Sequence, residues 1–167
     1  MVLVRDSTLS DIQRIHDIYA HYVVHSTASF EEAPPTLDDI RGRRDAVHHL
    51  NLPHLVAEVD GRVLGYAFAS SFRARPAYRY TIENSVYVDQ AAVRSGIGRA
   101  LMTELLARCE RGVWQQMIAV IGDSQNAASI RLHESLGFTH AGILYDIGFK
   151  FNRWIDVVLM QRALRQT

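Results

Sequence analysis

Val93-Arg94-Ser95-Gly96-Ile97-Gly98-Arg99-Ala100 lies where an extended segment gives way to a helical one. Before it, Tyr80–Val88 is β-branched and aromatic, the composition of a central strand. After it, Ile97, Leu101, Leu105 and Leu106 share one helical face. Glycines at a strand-to-helix turn let backbone N–H groups approach a ligand, and the helix N-terminus adds partial positive charge. A pyrophosphate is the natural guest, with Arg94 and Arg99 placed to offset its charge. Taken alone, two glycines at such a turn more often make a simple tight connection. The nucleotide-hydrolase loop needs Gly-Lys-Ser/Thr, which the chain lacks. A dinucleotide-binding turn needs a third glycine where Leu101 stands. Asp123, at the end of the next strand, leaves a redox reading some weight. Against it, this turn follows the fourth predicted strand, and the dinucleotide turn normally follows the first.

Residues 2–5 read as a short first strand. Thr8 and Asp11 have capping-box spacing, and Ile12, Ile15, Ile18, Tyr19 and Tyr22 follow a helical period. Pro34-Pro35 breaks the chain before a second helix, where Thr36 and Asp39 repeat the cap pattern. Leu55–Glu58 and Val63–Ser70 are two strands joined at Asp60-Gly61, a hairpin signal. Met117–Ile121 is an apolar strand, and Asn126–Leu136 a helix ended by Gly137. Two more strands fall near Thr139–Leu144 and Asp156–Gln161. This order describes an α/β (α+β) mixed sheet covered by helices, with no internal repeat or linker to divide residues 1–167.

The 167 residues suit one sizeable core. Lys plus Arg equals Asp plus Glu at 18 each, which argues against a nucleic-acid partner. Cys109 is the single cysteine, so no intrachain disulfide forms and a reducing compartment is expected. The first residues lack the pattern of a secretion signal, and no apolar run approaches the ~20 residues that span a bilayer. A cytoplasmic protein without membrane association is the expectation.

Gly96-Ile-Gly98, then Asn126-Ala-Ala-Ser129, then His133-Glu-Ser-Leu-Gly137-Phe138 resemble the acetyl-CoA-binding core of the GNAT acetyltransferases. Three flanking segments narrow the likeness: Thr27–Glu32, Thr81–Val88 and Gly148–Asp156. Together they resemble the phosphinothricin and methionine sulfoximine N-acetyltransferase branch over about residues 3–163. The likeness implies a largely antiparallel mixed sheet with helices on both faces, acetyl-CoA as cosubstrate, no metal, and a homodimer. The superfamily's loop usually opens with Gln or Arg three residues before its first required glycine; Val93 stands there instead.

The resemblance assigns Glu83 as the base that takes the amine's proton. An unperturbed Glu, with a pKa near ~4.3, needs burial or a relay water for that task. His133 stands where many relatives carry a Tyr acid, and reads equally as a helix histidine packed on the sheet. Val86, Tyr87 and Val88 would offer backbone to the thioester. Arg94, Ser95, Gly96, Ile97, Gly98 and Arg99 would hold the pyrophosphate. Asn126, with Ser129, would meet the pantetheine arm; a helix N-cap explains Asn126 as well. Arg73, Arg75 and Arg79 with Tyr78 concentrate charge and aromatic faces before the catalytic strand, a carboxylate-binding arrangement. By resemblance Phe30 and Lys150 complete the amine pocket.

His21 and His25 have i, i+4 spacing without a third metal ligand. His48, His49 and His54 read as surface loop residues, and Cys109 as packing. Trp154, Ile155, Val157 and Val158 are candidates for an apolar dimer contact. Two alternatives keep the fold: an acetyltransferase acting on protein N-termini or lysines, and a non-catalytic coenzyme A-binding module.

Overall fold

In the computed structural model, which describes residues 1–165, the chain runs β1 (Leu3–Asp6), α1 (Ile12–His25), α2 (Leu37–His49), β2 (His54–Val59), β3 (Arg62–Ser71) and β4 (Thr81–Val88). It continues through α3 (Ile97–Glu110), β5 (Gln116–Gly122), α4 (Ala127–Ser135), β6 (Thr139–Lys150) and β7 (Arg153–Ala163). One sheet carries all seven strands in the order β1-β2-β3-β4-β5-β7-β6. The β4–β5 pair is parallel and the other five are antiparallel. The expected mixed, largely antiparallel sheet with helices on both faces is therefore what the chain forms.

Alternation along the strands sorts two cores. On one face, α3 lays Ile97, Leu101, Met102, Leu105 and Leu106 over Ala57, Ala67, Ile82 and Met117. A Cβ at Gly65 of β3 would stand 2.9 Å from Ile97 Cγ2 and 3.0 Å from the Tyr87 carbonyl. That bare spot lets α3 sit close, which sets its N-terminus at the end of β4. On the other face, Ile12, Ile15, Ile18, Tyr19 and Val23 of α1 meet Ile40 of α2, Val56, Val63 and Tyr66. Each buried Ile or Leu is worth about 1.5–3 kcal/mol, so such stripes fix both helices. Both sequence-predicted capping boxes form: Thr8–Asp11 heads a 3-10 turn leading into α1, and Thr36–Asp39 starts α2.

Three expectations change. β6 and β7 are longer than their apolar patterns, because β6 bulges between Leu144 and Gly148 and resumes pairing to Lys150. Ile155, Val157 and Val158 are core residues, since β7 is an interior strand between β5 and β6; Trp154 alone of that group is exposed. His54 is not in a surface loop: it opens β2, is 3% exposed, and stacks on Phe68 at 5.3 Å. Burial lowers its pKa to about 3, and among the described residues its Nδ1 has no hydrogen-bond partner. Cys109 is on the buried face of α3, where desolvation pushes its thiol up to about 12, as packing predicts. No helix among the described residues is long and apolar enough to cross a membrane.

Candidate active site

The parallel ladder joins Thr81–Asn84 to Gln116–Ala119 and then stops, although β4 runs on to Val88 and β5 to Gly122. β4 stays paired with β3 as far as Val88, and β5 with β7 as far as Gly122. The facing edges of Ser85–Val88 and Val120–Gly122 thus part without ladder partners. Between them opens a cleft of about 1210 Å³. A strand edge inside a cleft keeps strong donors and acceptors waiting for a guest.

The cleft has two sides because β4 alternates. Ile82, Val86 and Val88 pack toward α3, and Tyr87 toward α1. By the same period Asn84 faces α3, whereas Glu83 and Ser85 face α1.

On the α3 side, Gly96 caps α3 with φ +85°, a left-handed backbone that glycine adopts without strain. A Cβ there would meet nothing within 4 Å, so the turn is open. Arg94, also left-handed at φ +65°, and Arg99 line the same mouth with Gly98. The neighbouring α4 begins at Asn126, whose side-chain oxygen accepts from Ser129 N at 3.2 Å. Two helix N-termini therefore face one mouth, a favourable place for anions. Deeper in, His133 is 2% exposed, with Nε2 3.0 Å from Asn84 Oδ1 and Nδ1 2.8 Å from the Ser129 carbonyl. Burial pushes its pKa down; a neutral ring has one N–H to donate, and the nearer acceptor is the Ser129 carbonyl.

On the α1 side stands Glu83, whose pKa burial alone raises above its ordinary value. Tyr22 donates to the Val88 carbonyl at 2.6 Å, pinning the free end of β4. Tyr19 donates to Glu31 and pairs with Ser29 Oγ at 2.9 Å, while Arg43 grips both Glu31 oxygens at 2.9 and 2.7 Å. The Arg43 guanidinium holds the Glu31 carboxyl below its ordinary range. Asp123, left-handed at φ +74°, closes the end of β5. Its carboxylate accepts from Arg153 at 2.6 Å, Thr27 Oγ1 at 3.0 Å and Gln125 N at 3.0 Å.

Of the sequence-predicted residues, Phe30, Glu83, Val86, Tyr87, Val88, Arg94, Gly96, Gly98, Arg99, Asn126, Ser129 and His133 line this one cleft. Ile97 is buried in the α3 core, and Ser95 turns its hydroxyl to the Ala92 carbonyl. Arg73, Arg75, Tyr78 and Arg79 do not line the cleft. Their segment is exposed, with Arg73 over Phe72 at 5.2 Å and Arg79 over Tyr80 at 4.8 Å. Lys150 is 4% exposed and donates to the carbonyls of Ser26 and Ser29, both at 2.7 Å, so it braces a loop. Tyr19, Tyr22 and Glu31 line the cleft without having been read as site residues, and Asp123, weighed only for a redox reading, lines it too. The two tyrosines fit the helical period as core, which hid their hydroxyls. Among the described residues no His, Cys, Asp and Glu cluster suits a metal ion.

A sheet split between two parallel strands, with a glycine turn and two helix N-termini at its mouth, suits an extended ligand that ends in phosphates. Residues 4–159 match the family model described as an acetyltransferase (GNAT) domain, and the chain belongs to that family. It is 53% identical over 162 residues to phosphinothricin N-acetyltransferase of Alcaligenes faecalis, covering 97% of this chain and 81% of that one. It is 40% identical to the L-methionine sulfoximine/L-methionine sulfone acetyltransferase of Salmonella typhimurium, covering 96% and 94%. Among solved structures, a phosphinothricin acetyltransferase from Sinorhizobium meliloti in complex with AcCoA superposes with a TM-score of 0.94 at 40% identity, covering 97% and 88%.

Proposed function

We propose that residues 1–167 act as one acetyl-CoA-dependent N-acetyltransferase domain. The acceptor is the primary amine of a small amino-acid-like molecule of the phosphinothricin or methionine sulfoximine type. The observation that carries this reading is Glu83, a carboxylate raised by burial, on the opposite side of the strand split from the Gly96–Gly98 turn. Its support is the likeness to enzymes of those names.

Transfer needs the coenzyme held, the thioester oxygen stabilised and the amine's proton removed, after which the C–S bond breaks. Coenzyme A leaves as a thiolate that takes a proton from solvent. The chain's own groups suit the first three requirements. The turn and the two helix N-termini offer N–H groups to phosphates, with Arg94 and Arg99 adding charge. The unpaired edges of β4 and β5 suit the amide-bearing pantetheine arm as a third strand would. N–H groups along Val86–Val88 meet the negative charge that develops on the thioester oxygen. Glu83 removes the amine's proton, since a free amine with a pKa near ~8 is largely protonated at neutral pH. His133, buried against Asn84 and the Ser129 carbonyl, holds α4 to the strand; its burial favours that role over acid catalysis.

Arg73, Arg75 and Arg79, in the exposed segment ahead of β4 with Tyr78, add positive charge outside the cleft that would attract an acceptor bearing a carboxylate. A homodimer is supported by edge strand β6 and its turn, where Tyr145, Ile147, Phe149 and Trp154 are 52–72% exposed. So large an apolar row on an uncovered edge suits a second copy, and light scattering should give twice the chain mass. A cytoplasmic setting fits the single buried thiol.

An amine panel with acetyl-CoA, followed by free thiol release, tests the function. Free amino-acid analogues should react, and their amides and peptides should not. Equal rates on peptides would transfer the chain to the protein-acetylating class.

A further inference from the structure

The loop between α1 and α2 presents Phe30 to the cleft, and its position is set by residues far away in sequence. A Cβ built on Gly148 of β6 would stand 2.3, 2.8 and 2.9 Å from three carbons of the Phe30 ring. One built on Gly122 of β5 would stand 3.0 Å from Phe30 Cε1 and 2.4 Å from the Thr27 carbonyl. The ring therefore packs against bare backbone of β5 and β6, the strands on either side of β7. The β6 bulge between Leu144 and Gly148 re-aims that strand, and Asp156 fixes it by accepting from Asp146 N at 3.0 Å. The loop backbone is held from beneath by the buried Lys150 ammonium on the Ser26 and Ser29 carbonyls. Asp123 takes the Thr27 hydroxyl and Tyr19 the Ser29 hydroxyl. Every residue from Ser26 to Phe30 except Ala28 thus has a side-chain or carbonyl anchor in the sheet or α1.

We infer that Gly122, Gly148 and Lys150 are positioning residues that fix Phe30 and so set the width of the acceptor end of the cleft. The inference rests on the reading of the α1 side as the acceptor's side. Phe30 is 41% exposed: it packs on the glycines and lines the same cleft as Glu83. A side chain at 148 would push the ring off the strand, and the strand backbone cannot yield as a flexible side chain would. The acceptor would be misplaced, while the Gly96–Gly98 turn across the sheet would keep its coenzyme geometry. Misplacement of about 1 Å at a reacting centre costs up to ~10² in rate.

The test is a double-mutant cycle, Gly148→Ala with Phe30→Leu, read by thermal unfolding and by steady-state kinetics on amino acids of graded side-chain size. Gly148→Ala should lower the melting temperature in the Phe30 protein and far less in the Phe30→Leu protein, because the shorter side chain removes the collision. In kinetics it should raise the acceptor KM on the order of tenfold with the acetyl-CoA KM within about twofold. Phe30→Leu should instead admit bulkier acceptors, and Lys150→Met should shift the acceptor KM in the direction of Gly148→Ala. If Gly148→Ala fails to fold, recovery of soluble protein in the double variant supports the inference, and no recovery overturns it. An additive cycle, or an acceptor ranking unchanged in an active Gly148→Ala enzyme, overturns it alone. A wild-type protein that releases no thiol with any amine fails the functional reading itself.

Discussion

Gly96, at the mouth of the cleft, and Gly148, behind the Phe30 ring that lines it, are glycine for opposite reasons. A Cβ at Gly96 would meet nothing within 4 Å, and the residue's φ is +85°. A Cβ at Gly148 would strike the Phe30 ring at 2.3 Å. The first glycine exposes backbone to a guest; the second makes room for the protein's own side chain. The sides they belong to differ in the same way. Toward α3, a contiguous turn and two helix N-termini present N–H groups whose geometry is local. Toward α1, the wall is assembled from Tyr19, Tyr22, Phe30, Glu31, Glu83 and Asp123, which meet only through tertiary packing. One side suits a constant ligand, which backbone can hold; the other suits a particular amine, which side chains must select.

That contrast is tested most severely at Glu83. Glu83→Gln should lower turnover by ~10²–10⁴ while both substrates still bind, as expected when a general base is lost. In pH–rate profiles at coenzyme saturation, the remaining activity should follow the ionisation of the amine itself. Near-normal turnover across neutral pH would take Glu83 out of the mechanism. The same variant should be no less stable than wild type at neutral pH. A carboxyl with a raised folded pKa loses stability as pH rises between its unfolded value, ~4.3, and its folded one. The advantage of the Gln variant should therefore fade on acidification through that window.

On the opposite side, the sharper variant is Gly98→Ala rather than Gly96→Val. Val at φ +85° adds a backbone cost of about 1–3 kcal/mol, which confuses folding with binding. A Cβ at Gly98 would meet Leu132 and Val88 at 3.5 and 3.6 Å, ordinary contacts the fold accepts. Gly98→Ala should weaken acetyl-CoA on the order of tenfold, about 1.4 kcal/mol, by calorimetry. The acceptor KM should barely move. An unchanged coenzyme affinity would sink the phosphate-turn assignment.

His54 gives a smaller effect, on stability alone. Its folded pKa is about 3 against an ordinary 6.5, so between those values the unfolded chain binds a proton that the folded one refuses. Stability should fall as pH drops through that window, by up to about 1.4 kcal/mol per pH unit from this residue. His133, also lowered, contributes in the same direction. His54→Phe keeps the stack on Tyr66 and Phe68 and should flatten part of the acid limb in melts between pH 4 and 7. An unaltered slope would place the titration elsewhere.

The mildest change is Tyr22→Phe, which removes the hydroxyl bonded to the Val88 carbonyl. It should cost about 0.5–1.5 kcal/mol of stability and a small part of turnover, with both KM values nearly unchanged. A large rise in the coenzyme KM would mean that Tyr22 touches the ligand rather than the strand.

The sequence alone located the strands, though not the full extent of β6 and β7, and it determined the helix starts and the glycine turn, because each rests on neighbours within a few residues. The caps at Thr8 and Thr36, the turn at Asp60-Gly61 and the stripe on α3 need no distant partner to be recognised. The order of motifs along the chain also carried the family. What tertiary structure decided is wherever a residue's meaning lies in a partner far along the chain. Lys150, read as a substrate ligand, spends its ammonium on Ser26 and Ser29, more than 120 positions away. His54 sits next to Pro53 and looked like a loop, but pairing of β2 with β3 stacks it on Phe68. Val157 and Val158 looked available for a partner, but the sheet order buries them between β5 and β6. Tyr19 and Tyr22 showed their helical period and not the cleft their hydroxyls reach. Periodicity reports which face a side chain takes; only packing across the sheet fixes what that face meets.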